Sequence, residues 1–345
     1  MACTCNIIPN DVLLKLASDA SLTDGDRQGL AETAKLDAKF RTLRRVNTEI
    51  NRLAITNQGF ASAQQLAAAP AVEVYDCKTS MTLPGARIPK PNQSGDATVT
   101  RCATETKAVA DFYSTLFGRN SIDGAGMTLA SSVHYGVGYN NAFWNGTRMT
   151  YGDGNGTLFV DFTLSTDVIA HELTHGVTQH SAAFVYTNEA GGLNESMSDV
   201  FGSMFRQWRK NQDVNAADWL IGAEILGPTA RGRGYTCLRN MADPEDQHCL
   251  SPQPKHYSGY RTGMDPHESS GIPNHAFFLA AKAIGGKSWE KTGKIWYSAL
   301  TDFGQTPNAK FKTFADRTRT AAQRLFPGDA AIAAAINNAW AAVGV

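Results

Sequence analysis

Hydrophobic and polar residues change their pattern twice along the chain, and the changes divide it into three parts. Residues 24–53 combine helical spacing with many charged side chains, and the Ala-, Gln- and Pro-containing stretch 57–70 is typical of a linker. Short β-type runs broken by Gly, Asn and Asp follow from Val72 to about Asp161. After Ser165 the apolar residues recur at helical spacing, which predicts helices over 167–180, 191–210, 273–284, 308–324 and 329–342.

These parts predict an α+β protein. We place a helical N-terminal segment with its linker at 1–60, a β-rich lobe at 61–165 and an α-helical lobe at 166–345. A chain of 345 residues is long enough for about two domains, and a core of that size folds without a metal or a disulfide. A metal site would therefore need a functional reason.

Charge and hydropathy argue against several classes of partner. The 32 Lys and Arg residues balance 32 Asp and Glu, so no net positive charge favours a nucleic acid or an anionic membrane. No apolar run approaches the length of a membrane-spanning helix. The first thirty residues lack the basic start and apolar core of a classical signal peptide. We therefore expect a cytoplasmic precursor, with export by a non-classical route to an extracellular mature form as an open alternative.

The strongest chemical signal is the run His171-Glu172-Leu173-Thr174-His175 within a predicted helix. Two His residues four positions apart share one helix face, so both imidazoles can reach one Zn²⁺. Glu172, beside the first His, is placed to take a proton from an attacking water. With eight His in the chain, such a run arises by accident in about one chain in a hundred, so its context decides.

A second predicted helix supplies that context. Glu195 lies 20 positions after His175 (195 − 175), among apolar residues that predict a buried face, and Asp199 follows one turn later. A buried carboxylate is costly unless it is paired or binds a metal. Glu195 as a third ligand leaves a fourth position open, as in catalytic zinc sites. Asp199 and Asn194 would then bond to the outer ring nitrogens of the two His ligands; a metal-free, salt-bridged helix pair is the alternative.

These motifs resemble the thermolysin family of zinc endopeptidases. HELTH, the gap of twenty residues and NESMSDVFG carry the resemblance, and TLPG, SSVHYGVGYNNAFWNG, MTYGDG, LRNMADP, SGIPNHAF and AVGV extend it from about Val74 to Val345. CNIIPNDVLLKLA at the start is similar to the short propeptide of the protealysin-like branch, and FGRNSIDGAGMTL also resembles that branch. The resemblance implies a thermolysin-like zincin whose active-site cleft lies at the central HExxH helix.

Roles for single residues follow from this resemblance. One catalytic zinc would be bound by His171, His175 and Glu195, with Glu172 as general base and then general acid. Tyr186 and His267 would donate to the developing oxyanion. Arg239 would hold a carbonyl group on the primed side of the substrate, and Asn141 and Ala142 would pair with the extended substrate backbone. An apolar first primed pocket, which predicts a bulky hydrophobic P1′ residue after the scissile bond, would be lined by Phe159, Phe162, Val168, Ile221 and Leu238.

Two departures from the family change the expectations. Arg206, Leu220 and Ala223 stand where the family has acidic ligands of a double calcium site, and only Asp167 and Asp218 remain. We therefore predict that this calcium site is absent. The loop before His267 is also shorter than in the family, which leaves the geometry of that His open.

Residues 1 to about 60 would be an inhibitory propeptide that lies against the cleft, with Cys5, Ile8, Pro9 and Leu13 as its contact residues. We expect processing within residues 51–70, a stretch of the kind that proteases cut. A thiolate of Cys3 or Cys5 in the open zinc position is one alternative; free thiols or a bridge are favoured for a chain terminus. Further pairs that could form bridges are Cys237 with Cys249 and Cys77 with Cys102.

The sequence thus predicts a zinc-dependent neutral endopeptidase made as a precursor that processes itself. We expect protein and peptide substrates, its own propeptide and a small protein inhibitor as partners, and a monomeric state. A catalytically silent binding protein clamped by its propeptide is one alternative, disfavoured by Glu172, which zinc binding alone does not require. An aminopeptidase is another, disfavoured by the NAFWNG run, which suits binding of the interior of a chain.

Overall fold

The structure is a computed structural model that describes residues 5–54 and 70–345, with side chains for 5–39 and 70–345. Cys3, the predicted linker and most of the predicted processing stretch lie outside the described residues. Within them, no helix combines the length and the apolar character that crossing a membrane requires.

A single mixed sheet lies in the first half of the chain. Its six strands lie in the order β1-β5-β6-β4-β2-β3, with β2–β4 and β4–β6 parallel and the other pairs antiparallel. A separate antiparallel pair, β7–β8, lies in the second half. The strands are β1 (Cys5–Asn6), β2 (Val72–Asp76), β3 (Ala86–Ile88), β4 (Leu129–Val133), β5 (Ala142–Trp144), β6 (Met149–Tyr151), β7 (Leu220–Ile221) and β8 (Arg239–Asn240).

Helices surround the sheet and form most of the second half. They are α1 (Asn10–Ala17), α2 (Asp24–Ala54), α3 (Ala97–Phe117), α4 (Thr166–Gln179), α5 (Asn188–Arg209), α6 (Pro228–Gly232), α7 (Pro266–Ser269), α8 (Gly271–Ile284), α9 (Thr292–Thr301), α10 (Phe311–Leu325) and α11 (Ala330–Ala342). The predicted α+β class is confirmed, and the predicted helices of the second half correspond to α4, α5, α8, α10 and α11.

Helix α3 is the main element that the sequence pattern did not predict, because the β-type runs on either side of it set the interpretation of the whole region. Asp96 caps its start by accepting hydrogen bonds from the backbone N–H groups of Thr98 and Val99. Gly118 ends it in the left-handed conformation (φ 65°). Its buried face packs against β2, β4 and α4, so the predicted β-rich lobe is a sheet backed by a long helix.

Helices α4 and α5 form the centre of the molecule. Every residue of α4 from Asp167 to Thr178 is buried, as expected of a helix enclosed on all sides. The two helices approach closely at Gly202, where a Cβ atom would lie 2.7 Å from the backbone carbonyl oxygen of Asp167. A larger residue there would push α5 away from α4, and with it the carboxylates that face the HExxH motif.

The five cysteines within the described residues are unbridged and buried. Cys77 contacts the carbonyl oxygen of Pro84 (Sγ–O 3.6 Å), and the structure does not form the predicted pair with Cys102. Cys237 and Cys249 face each other with their sulfur atoms 3.0 Å apart, so this pair can form a bridge with little movement.

Candidate active site

The two His residues of α4 and Glu195 of α5 meet in a buried cluster. The Nε2 atoms of His171 and His175 are 3.1 Å apart. The carboxylate oxygens of Glu195 lie 3.3 Å from His171 Nε2 and 3.6 Å from His175 Nε2. Ligand atoms around a tetrahedral Zn²⁺ with bonds of about 2.0–2.1 Å lie about 3.3 Å apart, so the three groups fit this ion.

The outer nitrogen of each imidazole has a partner that fixes the ring. His171 Nδ1 lies 2.9 Å from Asp199 Oδ1, and His175 Nδ1 lies 2.8 Å from Asn194 Oδ1. Asp199 and Asn194 thus bond to the outer ring nitrogens of the two His residues, as the sequence predicted, and such bonds orient metal ligands. Asn194 is itself held by a hydrogen bond from its side-chain amide to the carbonyl oxygen of Phe184 (3.0 Å).

Asp199 bonds to more groups than the sequence predicted. The Arg239 guanidinium donates to both of its oxygens (Nε–Oδ2 2.8 Å, Nη2–Oδ1 2.7 Å), and Asn274 Nδ2 donates to Oδ2 (2.9 Å). Burial opposes the charge of Asp199, but Arg239 and His171 hold the pKa of its carboxyl well below the usual range. Asn274 had no predicted role; its place in SGIPNHAF was the available signal.

The pKa values of His171 and His175 indicate that this cluster is suited to a bound cation. Burial alone would keep His171 neutral, but its bonds to Asp199 and Glu195 outweigh burial and raise its pKa to about 9. Burial lowers the pKa of His175 to about 3, so this ring is neutral. In addition, Glu195 Oε2 has no well-aligned hydrogen-bond donor among the described residues beyond its charge contact with His171 Nε2 (3.3 Å). The proton on His171 thus supplies the positive charge that a metal ion bound by His171, His175 and Glu195 would supply instead.

Glu172 lies next to this cluster without a structural partner of its own. It is fully buried, and neither carboxylate oxygen has a well-aligned donor among the described side chains and backbone groups. Burial raises the pKa of Glu172 to about 8. A buried carboxyl group with a strongly shifted pKa is typical of functional sites.

Tyr186 and His267 meet beside the cluster, with Tyr186 Oη 3.2 Å from His267 Nε2. The Tyr186 hydroxyl also donates to Glu195. Asp265, the cap of α7, holds the ring of His267 through Nδ1 (2.8 Å to Oδ1). The short loop before His267 therefore still delivers this His to the site.

The first residues of the chain occupy the adjoining cleft. Strand β1 pairs with β5, and the Ile7 N–H donates to the Ala142 carbonyl oxygen (3.1 Å). Asn141 accepts from the Ile8 N–H (3.0 Å) and donates to the Ile8 carbonyl oxygen (3.1 Å). Arg239 Nη1 donates to the Ile7 carbonyl oxygen (3.0 Å). The predicted substrate-binding residues thus hold the backbone of the N-terminal segment.

The sulfur of Cys5 reaches the metal-binding cluster. Cys5 Sγ and ligand atoms of His175 and Glu195 all lie within 4.8 Å of one another. Ile8, Pro9 and Leu13, the other predicted contact residues, are also buried. The segment therefore covers the cluster and the cleft together.

An apolar wall lies beside the same segment. Phe159 and Phe162 contact each other with ring centres 5.9 Å apart, and Leu238 and Ile221 are joined by a backbone hydrogen bond (2.9 Å). These four residues and Val168 are fully buried, as is Ile7 of the N-terminal segment.

Comparison with known proteins agrees with this geometry. The thermolysin metallopeptidase catalytic-domain model matches residues 41–179, and the α-helical-domain model of the same family matches 182–345. An extracellular metalloprotease of Pectobacterium carotovorum subsp. carotovorum is 42% identical over 280 residues, 79% of this chain and 80% of that protein. The chain belongs to the thermolysin family of metallopeptidases.

Two further relatives of this metallopeptidase are similar over most of its length. A thermolysin of Alicyclobacillus acidocaldarius subsp. acidocaldarius is 35% identical over 307 residues, 86% of this chain and 55% of that protein. The structure of the precursor of protealysin, a metalloproteinase from Serratia proteamaculans, superimposes with a TM-score of 0.83 at 36% identity and covers 99% of both chains. Membership of the family implies a catalytic zinc.

One cluster of this metallopeptidase is built around an arginine. Arg206 Nη2 lies 2.8 Å from Asp218 Oδ2 and 2.8 Å from Glu224 Oε1, and its Nη1 lies 3.7 Å from Asp167 Oδ2. Nη1 also donates to the carbonyl oxygen of Leu220 (3.1 Å). The guanidinium thus takes the centre of a group of acidic and carbonyl oxygens, at the position where the sequence predicted that calcium is absent. Glu224 was not among the residues that the sequence singled out.

Proposed function

We propose that this chain is a zinc-dependent neutral endopeptidase that cuts internal peptide bonds. The observation that supports cleavage inside a chain is the backbone bound in the cleft. It runs past His267 with Cys5 and Asn6 on one side and Ile7 and Ile8 on the other. An aminopeptidase would instead need a site closed at the first residue of its substrate.

His171, His175 and Glu195 would hold the zinc ion. When bound, zinc polarises a water molecule and the substrate carbonyl group. Glu172 then serves as general base by accepting a proton from the attacking water, and afterwards delivers it to the nitrogen that leaves. The free carboxylate of Glu172 supports this role.

Tyr186 and His267 would donate hydrogen bonds to the oxygen on which negative charge develops. A donor that is already in place stabilises that charge without reorganising; His267 is such a donor, and the Tyr186 hydroxyl would turn to the oxygen from Glu195. Asp265 positions His267 by fixing its other ring nitrogen. Arg239, Asn141 and Ala142 hold the substrate backbone on the primed side. The apolar wall around Phe159, Phe162, Val168, Ile221 and Leu238 supports a bulky hydrophobic P1′ residue.

The N-terminal segment would inhibit the enzyme until it is removed. We propose that the Cys5 thiolate takes the fourth ligand position of zinc, which favours Cys5 over Cys3 as the blocking thiol. Its sulfur lies beside His175 and Glu195, and thiolate is a strong zinc ligand. Activation would require processing within residues 51–70 and release of the segment.

Arg206 would serve in place of the double calcium site. Its positive charge is held among Asp167, Asp218 and Glu224, and a fixed guanidinium there repels a second cation. The small protein inhibitor, the monomeric state and the cytoplasmic precursor with non-classical export stay predictions.

Incubation of the purified full-length chain with mass-spectrometric readout tests the proposed function. We expect cleavage within residues 51–70, followed by hydrolysis of casein at bonds before hydrophobic residues. Both should be lost with a chelator and in Glu172→Ala, and both should persist in Glu290→Ala, which removes an exposed carboxylate. Normal processing by Glu172→Ala would contradict the mechanism. Release of free amino acids alone would indicate an aminopeptidase, and no hydrolysis at all a silent binding protein.

A further inference from the structure

The N-terminal segment lies in the cleft in a definite register, and that register identifies one of its peptide bonds. His267 Nε2 lies 2.5 Å from the carbonyl oxygen of Asn6, and Tyr186 Oη lies 3.2 Å from the same nitrogen. These are the two groups assigned to the oxygen of the bond being cut. The next carbonyl group along the chain, that of Ile7, accepts from Arg239 (3.0 Å), the group assigned to the primed side.

The remaining backbone bonds fix the same alignment. The Ile7 N–H donates to the Ala142 carbonyl oxygen (3.1 Å), and both backbone groups of Ile8 bond to the Asn141 side chain (3.0 and 3.1 Å). The strand is antiparallel to β5, with Asn6 opposite Phe143. A shift of the segment by one residue along β5 would break all of these backbone bonds together.

The side chains also agree with this alignment. The residue after Asn6 is Ile7, a bulky apolar residue whose side chain is fully buried. The segment therefore offers the kind of P1′ residue that the pocket is proposed to prefer.

We propose that the Asn6–Ile7 bond is a latent cleavage site of this enzyme, bound as a substrate and left uncut only because Cys5 lies at the metal position. The proposal rests on the proposed function. Cys5 directly precedes Asn6, and its sulfur lies beside His175 and Glu195. A thiolate in the fourth ligand position would leave no place there for the water that must attack the Asn6 carbonyl group.

The reaction that Cys5 prevents is a simple hydrolysis. Water adds its oxygen to the carbonyl carbon of Asn6, and the bond from that carbon to the Ile7 nitrogen breaks. Asn6 becomes a new carboxyl terminus, and the proton passed on by Glu172 completes a new amino terminus at Ile7. Residues 1–6 leave as a peptide.

The Cys5→Ala variant of the full-length chain tests this proposal by the masses of all fragments. We expect loss of residues 1–6 and a new amino terminus at Ile7, in the intact chain or in the released propeptide. Cys3→Ala is the matched control, because it also removes a thiol near the terminus; it should keep the Asn6–Ile7 bond intact, as should Cys5→Ala combined with Glu172→Ala.

A synthetic peptide with the sequence of residues 1–16 and Ala for Cys5 covers the case in which the variant does not fold. Added to the mature wild-type enzyme, it should be cut between Asn6 and Ile7, whereas the peptide with Cys5 should inhibit casein hydrolysis and remain uncut. Casein hydrolysis without cleavage at Asn6–Ile7 in the variant or in this peptide would overturn the latent site and leave the proposed function standing. Absence of all hydrolysis would count against the proposed function.

Cobalt in place of zinc gives a readout that is independent of turnover. The Co²⁺ form of the Glu172→Ala precursor should show thiolate-to-cobalt charge-transfer absorption. The absorption should persist after the additional change Cys3→Ala and disappear after Cys5→Ala. If Cys5→Ala leaves the absorption unchanged, Cys5 is not the group that blocks the site.

Discussion

Among single residues, Asp199 connects the metal ligands to the substrate cleft. Its carboxylate bonds to His171, to the Arg239 guanidinium and to the Asn274 amide. Arg239 in turn holds the carbonyl group of Ile7. One buried carboxylate thus orients a metal ligand and the arginine proposed to bind substrate, so a change at either is expected to affect the other.

Asn274→Ala tests how far Asp199 depends on Asn274, a partner that the sequence did not predict. Removing the amide takes one donor from Asp199 and loosens the hold on His171. Loss of such an outer partner typically lowers metal affinity by about 10- to 100-fold. Competition with a chelator should show that decrease, and Asn337→Ala, an exposed control, should not. Equal zinc affinities in the two variants would show that Arg239 alone positions Asp199.

His134 is the residue at which stability should depend on pH. Its Nδ1 lies 2.9 Å from Asp153 and its Nε2 3.1 Å from Asp96. The bond to Asp153 outweighs burial and, with the nearby Asp96 and Asp76, raises the pKa of His134 to about 9. An unfolded His has a pKa of about 6.5, so the folded state binds this proton more tightly. The stabilisation is complete below pH about 6.5 and is lost as pH rises through about 9.

His134→Asn is the variant that measures this contribution, because Asn tolerates the positive φ of this position (54°). The difference in melting temperature between wild type and variant should be largest at about pH 6 and should shrink by about pH 10. His248→Asn, an exposed control, should show a smaller difference. A gap for His134→Asn that does not change with pH would mean that the ion pairs with Asp153 and Asp96 add nothing.

Residues in the active-site motifs were predictable because helical spacing fixes their mutual geometry. His171 and His175 share one turn of α4, and Glu195 follows on the next helix. Asn274 and Glu224 were not predictable in the same way. Asn274 donates to Asp199, 75 positions earlier in the chain, and Glu224 accepts from Ser165, 59 positions earlier, in addition to its ion pair with Arg206, so the packing of separate elements brings these side chains into place.

The same reasoning holds for whole elements. Long helices with one apolar face, such as α5 and α10, were predictable from periodicity. Helix α3 was hidden by its position between β-type runs. Strand β1 has two residues and no periodicity of its own; it exists because β5 offers it an edge, so its pairing could be expected only from the resemblance of the segment to a propeptide.

Near the end of α5, a change of Arg206 tests whether its positive charge takes the place of bound calcium. Arg206→Glu would place a carboxylate among Asp167, Asp218 and Glu224, the kind of oxygen-rich site that binds Ca²⁺. Without calcium the stability should fall, because the new carboxylate would lie among like charges and would remove the cation that faces the fully buried Asp167. Added calcium should restore the melting temperature of this variant and leave that of the wild type unchanged.

Arg206→Met is the matched control for this experiment. It removes the guanidinium without adding an oxygen ligand, so its loss of stability should be insensitive to calcium. Strong stabilisation of the wild-type protein by calcium would refute the proposed replacement of the ion by Arg206.

For the molecule as a whole, the proposed inhibition would depend on how α2 is held on the catalytic part. One face of α2 carries acidic and hydroxyl groups at intervals of 7 and 4 residues. Asp26 accepts from Thr157 and Asn155 (2.6 and 2.9 Å), and Thr33 accepts from the Asn140 N–H (3.3 Å). Asp37, further along the same face, is buried. These bonds would hold α2, and with it the N-terminal segment that includes β1, on the catalytic part.

Asp37 joins α2 directly to Asn141, one of the residues proposed to bind the substrate backbone. Its carboxylate accepts from the Tyr139 hydroxyl (2.5 Å) and from Asn141 Nδ2 (2.8 Å), and Asn141 grips the backbone of Ile8. A hydrogen bond to a charged group contributes about 1.5–3 kcal/mol. Asp37→Ala should therefore increase the fraction of molecules with an open cleft by about 10-fold or more, and the lag before casein hydrolysis should shorten accordingly.

Glu32→Ala is the control on the same helix, because Glu32 is exposed and its side chain accepts from Gln28 one turn earlier. Its lag should match that of the wild type. The two variants should reach the same final activity, since the proposed processing would remove both residues. An unchanged lag for Asp37→Ala, with its precursor still folded by melting temperature, would mean that β1 and Cys5 hold the segment without α2. A lower final activity would instead show that α2 is needed for the catalytic part to fold.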